Sequence, residues 1–447
     1  MTTYCVVGGG ISGLVAAYRL RQADPSADLT VFDPADRLGG TLRTESIAGA
    51  PMDVGAEAFL ARRPEMPALL AELGLSGRQI ASAGLRPLVY AGGTLHPLPE
   101  DTVQGFPAHP DALRGLVDRA ALSQVAAEAT RPLAWTPGAD PSVAALVGER
   151  FGAQVLSRSI EPLLTGVYAG SAASIGMRSA FPALATALDR GAPSLTAAAR
   201  AVQAAAPVAG PVFGAIDGGY QVLIDALVRR TAARWVPVGI EQVLPADHCW
   251  RLRDDHGRHW PADAVVLAVP APRLSALVGQ VAPDAAAAAR RIPVASAALV
   301  ALALPGVTPL PNHSGVLVAA GEDLHAKAIT MTSRKWARGD NVELLRFSFG
   351  RLGDALAHTA PDDHLVAWSV ADLYTLFGIA ADPVDARVQR WLDAMPQYGP
   401  GHAELVAGLR SSLPAGLAVA GGYLDGIGVP ACLASAGRAV EHLLNTR

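Results

Sequence analysis

The chain opens with Thr2-Thr3-Tyr4-Cys5-Val6-Val7-Gly8-Gly9-Gly10-Ile11-Ser12-Gly13-Leu14-Val15-Ala16, a β-branched and aromatic run followed by spaced glycines and a helix-period segment. Gly8 permits a tight strand-to-helix turn, Gly10 lets the main chain approach a pyrophosphate, and Gly13 lets the helix pack closely on the strand. The helix N-terminus adds N–H groups and the positive end of a dipole. The stretch therefore predicts a dinucleotide site.

A second strand and an acidic residue support this interpretation. Leu29-Thr30-Val31-Phe32 is a β-prone run, and Asp33 follows it at the distance where an acid accepts the ribose hydroxyls of a nucleotide. An ordinary glycine turn is the alternative, but it does not explain strand, helix and acid in this order. We therefore predict an α/β protein with a Rossmann-like domain whose nucleotide contacts include Gly8, Gly9, Gly10, Ile11, Ser12, Gly13, Asp33 and Pro34.

The residues after Asp33 indicate which dinucleotide binds. Arg37-Leu38-Gly39-Gly40 resembles the FAD-binding signature of the amine oxidase and phytoene desaturase superfamily. In that interpretation a second loop wraps the pyrophosphate, Arg37 supplies charge, and Gly40 allows close approach. An exposed turn with a solvated arginine is the alternative. The position directly after the acid favours the first interpretation, and we predict FAD as the cofactor.

Composition excludes several classes of protein. The 447 residues carry a formal charge of −4 and no basic run, which argues against a nucleic-acid partner. Three cysteines, Cys5, Cys249 and Cys432, have no spacing typical of a disulfide framework or zinc site, so we predict no metal. The apolar runs are too short to span a bilayer, and the opening strand leaves no room for a signal peptide. We expect a cytoplasmic protein.

A glycine turn follows at Met52-Asp53-Val54-Gly55-Ala56-Glu57-Ala58. In FAD oxidases of this class such a turn passes beneath the flavin, where a side chain would collide with the ring. We therefore add Gly55, Ala56, Glu57 and Ala58 to the cofactor site. Arg62 and Arg63 come next, before a helix from about 64 to 73, and are equally consistent with a solvated surface or with substrate binding.

The rest of the chain predicts three units. Residues 264–270 are apolar on both faces, as in a central parallel strand, and residues 110–206 are alanine-rich and broken by prolines, as in a helical insertion with its own core. Strands and helices alternate from 271 to 385, which predicts a mixed-sheet substrate domain. The expected boundaries are 1–60, 211–270 and 386–447 for the FAD-binding domain, 61–109 and 271–385 for the substrate-binding domain, and 110–210 for the insertion.

The chain closes with a second glycine loop and a helix. The strand at 416–420 leads into Gly421-Gly422-Tyr423-Leu424-Asp425-Gly426-Ile427-Gly428-Val429-Pro430, and Pro430 suits the first turn of a helix. A helix aimed at the N1–C2=O edge of a flavin would stabilise the reduced anion. We predict that both ends of the chain build one cofactor site, to which the closing loop contributes Gly426, Ile427, Gly428 and Val429.

Three longer motifs carry a more specific resemblance. They are Ser159-Ile160-Glu161-Pro162-Leu163-Leu164-Thr165-Gly166-Val167-Tyr168-Ala169-Gly170, Arg390-Trp391-Leu392-Asp393-Ala394-Met395-Pro396-Gln397-Tyr398 and Gly426-Ile427-Gly428-Val429-Pro430-Ala431-Cys432. Together they resemble the protoporphyrinogen/coproporphyrinogen oxidase family of haem biosynthesis, over essentially the whole chain, and most closely its Gram-positive type.

The resemblance implies several features of the site. The substrate would be coproporphyrinogen III, Val236 and Trp391 would lie against FAD, and Arg63 would sit where that type has a basic residue at the pocket. Asp33 departs from the family, which often has glutamate there, and Arg63 replaces a frequent lysine. We expect Arg63, helped by Arg62 or Arg86, to receive a propionate of the substrate.

Porphyrinogen oxidation removes six electrons, and a flavin accepts two at a time, so three rounds are needed. No second strand–glycine–helix unit exists for a nicotinamide, so we expect O₂ as acceptor. The pyrrole N–H protons are labile once hydride leaves, so we nominate no catalytic side chain.

Three alternatives stay open: a protoporphyrinogen oxidase, another flavin amine oxidase, and a flavin-binding protein without turnover. Amine oxidases usually place a lysine near flavin N5 on the strand that here reads 293–300, which has none. The resemblance also allows peripheral membrane contact and a transient contact with the next haem-pathway enzyme.

Overall fold

The computed structural model describes residues 1–205, 210–338 and 341–446, so residues 206–209, where the predicted insertion ends, lie outside it. The strands are β1 Thr3–Val7, β2 Asp28–Phe32, β3 Thr44–Ile47, β4 Ala50–Asp53, β5 Phe59–Leu60, β6 Gln79–Ala81, β7 Leu88–Ala91, β8 Thr94–Pro97, β9 Thr102–Val103, β10 Phe106–Pro107, β11 Phe213–Ile216, β12 Arg234–Val236, β13 Ile240–Ala246, β14 Cys249–Asp254, β15 His259–Ala262, β16 Ala264–Leu267, β17 Val294–Pro305, β18 Gly315–Val318, β19 Ala328–Met331, β20 Val342–Phe349, β21 Asp385–Pro396 and β22 Leu417–Val419.

The helices are α1 Ile11–Ala23, α2 Glu65–Glu72, α3 Arg119–Glu128, α4 Val143–Phe151, α5 Ala153–Val155, α6 Glu161–Tyr168, α7 Met177–Ala180, α8 Pro182–Asp189, α9 Leu195–Ala205, α10 Gln221–Thr231, α11 Ala271–Val278, α12 Pro283–Arg290, α13 Thr332–Lys335, α14 Leu356–Thr359, α15 Asp362–Phe377, α16 His402–Ser411, α17 Gly422–Asp425 and α18 Val429–Asn445. In the described residues none is both long and apolar enough to cross a bilayer.

A five-stranded parallel sheet carries the opening motif. Its order is β12-β2-β1-β16-β22, so β1 lies in the centre and its glycine turn opens at the carboxyl edge of the sheet. Helices α1, α10 and α18 cover one face, and α11, α12, α16 and the β13–β15 meander cover the other. Parallel strands buried on both faces need continuous apolar runs, and β16 supplies one. The predicted Rossmann-like sheet is confirmed.

A second, seven-stranded sheet of mixed orientation lies beside it. Its order is β21-β17-β20-β19-β18-β7-β8, antiparallel except where β18 pairs with β7. The long strand β17, next to the edge strand β21, is mostly apolar and almost fully buried along its twelve residues, and α15 packs on the sheet. This is the mixed sheet that the alternating pattern predicted.

The helical insertion has its own core, as expected from its composition. Apolar side chains of α3, α4, α8 and α9 bury one another there. Arg150 and Glu128 form an ion pair inside it, and the same carboxylate accepts the main-chain N–H of Leu195 at 2.7 Å, at the first turn of α9. The described part of the insertion is therefore a compact helical unit.

Three predicted domain boundaries need correction. Strand β21 was assigned to the FAD-binding domain from residue 386, but it pairs with β17 in the seven-stranded sheet because its residues continue that antiparallel ladder. Helix α2 was assigned to the substrate domain, yet its apolar face packs in the core beside α18. Helices α11 and α12 likewise belong to the core of the five-stranded sheet.

Two helical glycines give a matched test of the opening motif. A Cβ at Gly13 would lie 1.8 Å from the Gly8 carbonyl oxygen, whereas one at Gly437 in α18 would meet nothing within 4 Å. We expect Gly13→Ala to lower the free energy of unfolding by about 3 kcal/mol through overpacking. Gly437→Ala should raise it by about 0.5–1 kcal/mol through helix propensity. Urea unfolding measures both, and equal midpoints for the two variants would contradict the close packing.

Candidate active site

The glycine turn lines a cavity of about 620 Å³, which we call the glycine-loop cavity. Its wall includes the predicted residues Gly8, Gly10, Ile11, Ser12, Asp33, Pro34 and Gly40, and also Ile427. Gly8 has φ +106°, and a Cβ there would lie 2.3 Å from the carbonyl oxygen of Ala268, so only glycine fits. The first N–H groups of α1 face this space without intrahelical acceptors.

Asp33 is braced at the rim of the glycine-loop cavity. One carboxylate oxygen accepts the N–H of Gly9 at 2.6 Å, and the other accepts the N–H of Ala35 at 2.9 Å. A carboxylate fixed in this way keeps lone pairs for further donors such as ribose hydroxyls. The contact of Asp33 with a ribose stays a prediction.

The second loop leans directly on the first. Gly39 N–H donates to the Gly9 carbonyl at 2.8 Å, and a Cβ at Gly40 would lie 3.0 Å from the Gly10 Cα. Arg37 does not line the cavity. Its guanidinium donates to the carbonyl oxygens of Leu38, Gly40 and Leu42, so its charge holds the loop closed instead of facing the cavity.

A second cavity of about 360 Å³ adjoins the first, and we call it the inner cavity. Both cavities share Thr41, Ala394 and Ile427. The remaining wall of the inner cavity comes from the turn after β4, from α6, from strands β17, β19, β20 and β21, and from the start of α18. Its predicted residues are Gly55, Ala56, Glu57, Ala58, Trp391, Ile427, Gly428 and Val429.

The turn that forms one side of the inner cavity is fixed by Trp391. Its indole N–H donates to the Val54 carbonyl at 2.8 Å, across a separation of 337 residues. A Cβ at Gly55 would lie 1.8 Å from the Thr41 carbonyl oxygen and 3.3 Å from the Trp391 ring. The position therefore requires glycine mainly because the main chain at Thr41 is so close. A flavin ring over the turn is a second reason and not the only one.

Glu57 is the buried carboxylate of the inner cavity. It accepts hydrogen bonds from Lys335 Nζ at 2.7 Å and Thr332 Oγ1 at 2.9 Å, and Arg346 Nη1 lies 3.5 Å away. Burial by itself raises the pKa of Glu57, but the charges of Lys335 and Arg346 outweigh it and lower that pKa to about 2. Glu57 is thus ionised at neutral pH.

Asp53 lies beneath the same turn and holds the start of α10. Its carboxylate accepts from Thr44 Oγ1 at 2.5 Å and from the N–H of Tyr220 at 3.0 Å. Burial raises the pKa of Asp53 to about 6, more than these hydrogen bonds lower it. The residue supports the turn without lining either cavity.

Besides Arg37, four predicted cofactor residues line neither cavity. Gly9 and Gly13 act through the packing described above, and Gly426 lies in the closing loop beside Ala431. Val236 is buried next to Phe32 in the five-stranded sheet, and its carbonyl accepts the N–H of Asp33. Gly239 and Ile240 line the glycine-loop cavity on that side.

The structure does not bring Arg62, Arg63 or Arg86 to either cavity wall. Arg63 is half exposed and pairs with Glu65 at 2.5 Å. Arg86 pairs with Glu100 at 2.8 Å and also donates to the carbonyls of Leu98 and Pro99. Local acceptors near in sequence thus engage two of the three guanidinium groups.

The cations of the inner cavity are Lys327, Lys335 and Arg346, none of which was predicted. Lys327 and Lys335 are the two lysines of the chain. Because lysine is so rare in this arginine-rich sequence, these two residues could have been singled out as candidates for the site. They were missed because they lie far in the sequence from the glycine motifs.

The two adjoining cavities fit a flavin dinucleotide. At one end of the pair of cavities lie glycines whose Cβ atoms would collide with main chain. The start of α18 lines the inner cavity with Gly428 and Val429, and Pro430 lies in the first turn of that helix, as expected. The α1 N-terminus in the first cavity suits phosphate groups, and Trp391 gives the second an aromatic side chain that suits a flat ring.

Comparison with known proteins identifies the class. Residues 11–444 match the sequence model of the flavin-containing amine oxidoreductases. Coproporphyrinogen III oxidases of Mycobacterium tuberculosis and Mycobacterium leprae are 62% and 58% identical, over 99% of this chain and 97% and 98% of theirs. A solved Exiguobacterium structure assigned as a protoporphyrinogen oxidase has TM-score 0.89 and 26% identity, over 100% of this chain and 99% of its own.

The chain therefore belongs to the flavin-containing amine oxidoreductase family. Within that family it groups with the coproporphyrinogen and protoporphyrinogen oxidases, as the three long motifs predicted.

Replacing Glu57 tests the buried charge cluster. Glu57→Gln leaves Lys335 and Arg346 without their carboxylate, and we expect a loss of about 3 kcal/mol in unfolding free energy at pH 7. Glu65→Gln is the matched control, because it breaks a half-exposed pair worth about 0–1 kcal/mol.

The lowered pKa of Glu57 also fixes the pH dependence. The contribution of Glu57 to the free energy of unfolding is fully present above the ordinary glutamate pKa near 4.5. It is lost as the pH falls through the lowered pKa of about 2. The difference in unfolding free energy between wild type and Glu57→Gln should therefore be constant from pH 7 to 8, and it should change near pH 6 because the charge of Glu57 helps to raise the pKa of Asp53. Equal unfolding free energies of Glu57→Gln and the control Glu65→Gln at pH 7 would contradict the role of the cluster.

Proposed function

We propose that this protein is an FAD-dependent oxidase that converts coproporphyrinogen III to coproporphyrin III in haem biosynthesis, with O₂ as electron acceptor. The observation that carries the proposal is the near full-length identity of 62% to a coproporphyrinogen III oxidase. An inner cavity rich in cations next to the predicted cofactor cavity supports it from the structure.

Each part of the site has a task in this proposal. The glycine-loop cavity would hold the adenosine and pyrophosphate of FAD, with the Asp33 carboxylate available to the ribose and the α1 N-terminus to the phosphates. The bound flavin supplies the hydride acceptor. The turn at 55–58, Trp391 and the start of α18 would hold its ring, and the surfaces of α6, β17 and β19 would bind the porphyrinogen beside it.

One side of the inner cavity is apolar. Ala297, Leu299, Val167 and Met395 give the substrate side an apolar surface, which suits the flat tetrapyrrole. Loss of hydride leaves the pyrrole N–H acidic, so no side chain is required to pull the proton away. Catalysis then rests on orientation and on cofactor placement.

Charge separates the two porphyrinogen candidates. Coproporphyrinogen has four propionates and protoporphyrinogen has two. The inner cavity carries Lys327, Lys335 and Arg346 against the single carboxylate of Glu57. A charge-assisted hydrogen bond contributes about 1.5–3 kcal/mol, so a surplus of cations favours the more anionic substrate. The Exiguobacterium protein keeps protoporphyrinogen as the second candidate.

Gly10→Val tests the cofactor site without disturbing the fold. Gly10 has φ −71°, which valine tolerates, and its Cβ would meet nothing closer than 3.9 Å, at Gly40. We expect the variant to stay folded by circular dichroism but to lose flavin, because its side chain occupies space needed by the pyrophosphate. Flavin absorbance after purification is the measurement, and full retention would place the cofactor elsewhere.

The acceptor and substrate can be tested together. Purified holoprotein given coproporphyrinogen III in air should yield about three H₂O₂ per porphyrin, since each two-electron round reduces one O₂. Porphyrin fluorescence and peroxide are measured in parallel, and protoporphyrinogen IX should be oxidised more slowly. Strict dependence on NAD(P)⁺ or an added quinone, or faster turnover of protoporphyrinogen IX, would overturn the corresponding part of the proposal.

A further inference from the structure

Lys327 reaches the inner cavity from the seven-stranded sheet. It directly precedes β19, its N–H donates to the Ser348 carbonyl at 2.8 Å, and its carbonyl accepts from Val318 at 3.1 Å. The residue is 3% exposed, and its side chain forms part of the cavity wall. The ammonium group is therefore held inside the protein by the ladders on both sides of it.

The amine of Lys327 has no acidic partner among the residues that the structure describes. Its Nζ donates to the carbonyl oxygen of Gly350. Glu57, the carboxylate of the same cavity, is already shared by Lys335 and Arg346. The nearby Asp354 accepts the main-chain N–H groups of Arg351 and Leu356. A buried amine without a counter-ion is costly to charge, and an anion that enters the cavity removes that cost.

The segment before Lys327 is fixed by a buried aspartate. Asp372, on α15, accepts the N–H groups of His325 at 3.2 Å and Ala326 at 2.8 Å. The His325 ring also contacts Asp372 and stacks on Trp368 with a centroid distance of 4.9 Å. Lys327 is thus held in place at its main chain, and only its flexible stem adjusts to a ligand.

The charged groups around Lys327 set its protonation. Burial, together with repulsion from Arg351, lowers the pKa of Lys327 to about 7, and the charge of Asp354 only partly opposes both effects. Across the cavity lie Arg346, Lys335 and Glu57, and no histidine or cysteine lines the described wall. Lys327 is consequently the group of this cavity that changes charge near neutral pH.

We propose that Lys327 binds one carboxylate of the substrate inside the inner cavity and takes up a proton from solvent as it does so. This inference rests on the proposed function and deepens it, since it names the residue that receives a propionate. It also assigns that task to a strand of the substrate sheet and not to the arginines after the flavin turn. Carboxylates stay ionised above pH 6, so the proton goes to the amine.

The test uses binding of coproporphyrin III, the oxidised product, to the flavin-loaded protein from pH 6.5 to 8.5. Wild type should take up close to one proton per porphyrin at pH 8, read from calorimetry in buffers of different ionisation enthalpy. Its Kd should rise about tenfold between pH 7.5 and 8.5. Flavin absorbance monitors the integrity of the cofactor site throughout.

Three variants identify the group responsible. Lys327→Met keeps the length of the stem and should weaken binding at pH 6.5 about tenfold while abolishing proton uptake. Lys327→Arg keeps the charge at all pH values, so it should bind without proton uptake and with a flat pH profile. Arg351→Gln removes a repulsive charge and should move the midpoint of the pH dependence upward.

The outcomes separate this inference from the proposed function. Suppose that wild type binds coproporphyrin III, and that Lys327→Met binds it equally well or still takes up a proton. The role of Lys327 is then overturned, and the proposed function is not. Unchanged binding with a lower turnover rate in Lys327→Met also overturns it, because the amine then acts in the reaction and not on the carboxylate. Failure of wild type both to bind coproporphyrin and to oxidise coproporphyrinogen overturns both.

Discussion

The buried carboxylate of Glu57 is the interaction on which the architecture of the site depends. It belongs to the turn after β4, while Arg346 lies on β20 of the seven-stranded sheet and Lys335 ends α13, the helix between β19 and β20. Arg346 also donates to the Gly55 carbonyl at 2.6 Å. Ionic and hydrogen bonds inside the protein are sensitive to geometry, so this cluster sets the separation of the two sheets and hence the width of the inner cavity.

The same cluster determines the electrostatics of the cavity. Two cations share one carboxylate, so the site remains positive before any ligand enters. Apolar walls from β17 and α6 reduce the screening of that charge. A flat apolar ring with acidic arms is complementary to such a space, whereas a cationic amine is not. This favours a porphyrinogen over an amine within a family that includes oxidases of both.

The glycine turn of the five-stranded sheet and the acid beside it could be predicted from the sequence, because their requirements are local. Gly8 and Gly13 are demanded by close approach of neighbouring main chain, and Asp33 directly follows a strand, so spacing was sufficient to predict them. The inner cavity was harder to predict. Lys335 meets Glu57 across 278 residues, and Trp391 reaches Val54 across 337, so no short motif contains both partners. Arg63 was predicted at the pocket because it follows the turn, but Glu65 lies two residues away and pairs with it.

A crystal structure of the protein with FAD and coproporphyrin III tests the central claim most directly. We expect the pyrophosphate between Gly10, Gly40 and the start of α1, and the flavin ring between the 55–58 turn and Val429. The tetrapyrrole should lie on the β17, β19 and β20 side, with one carboxylate at Lys327. A flavin outside the two adjoining cavities, or a porphyrin bound away from the inner cavity, would contradict it.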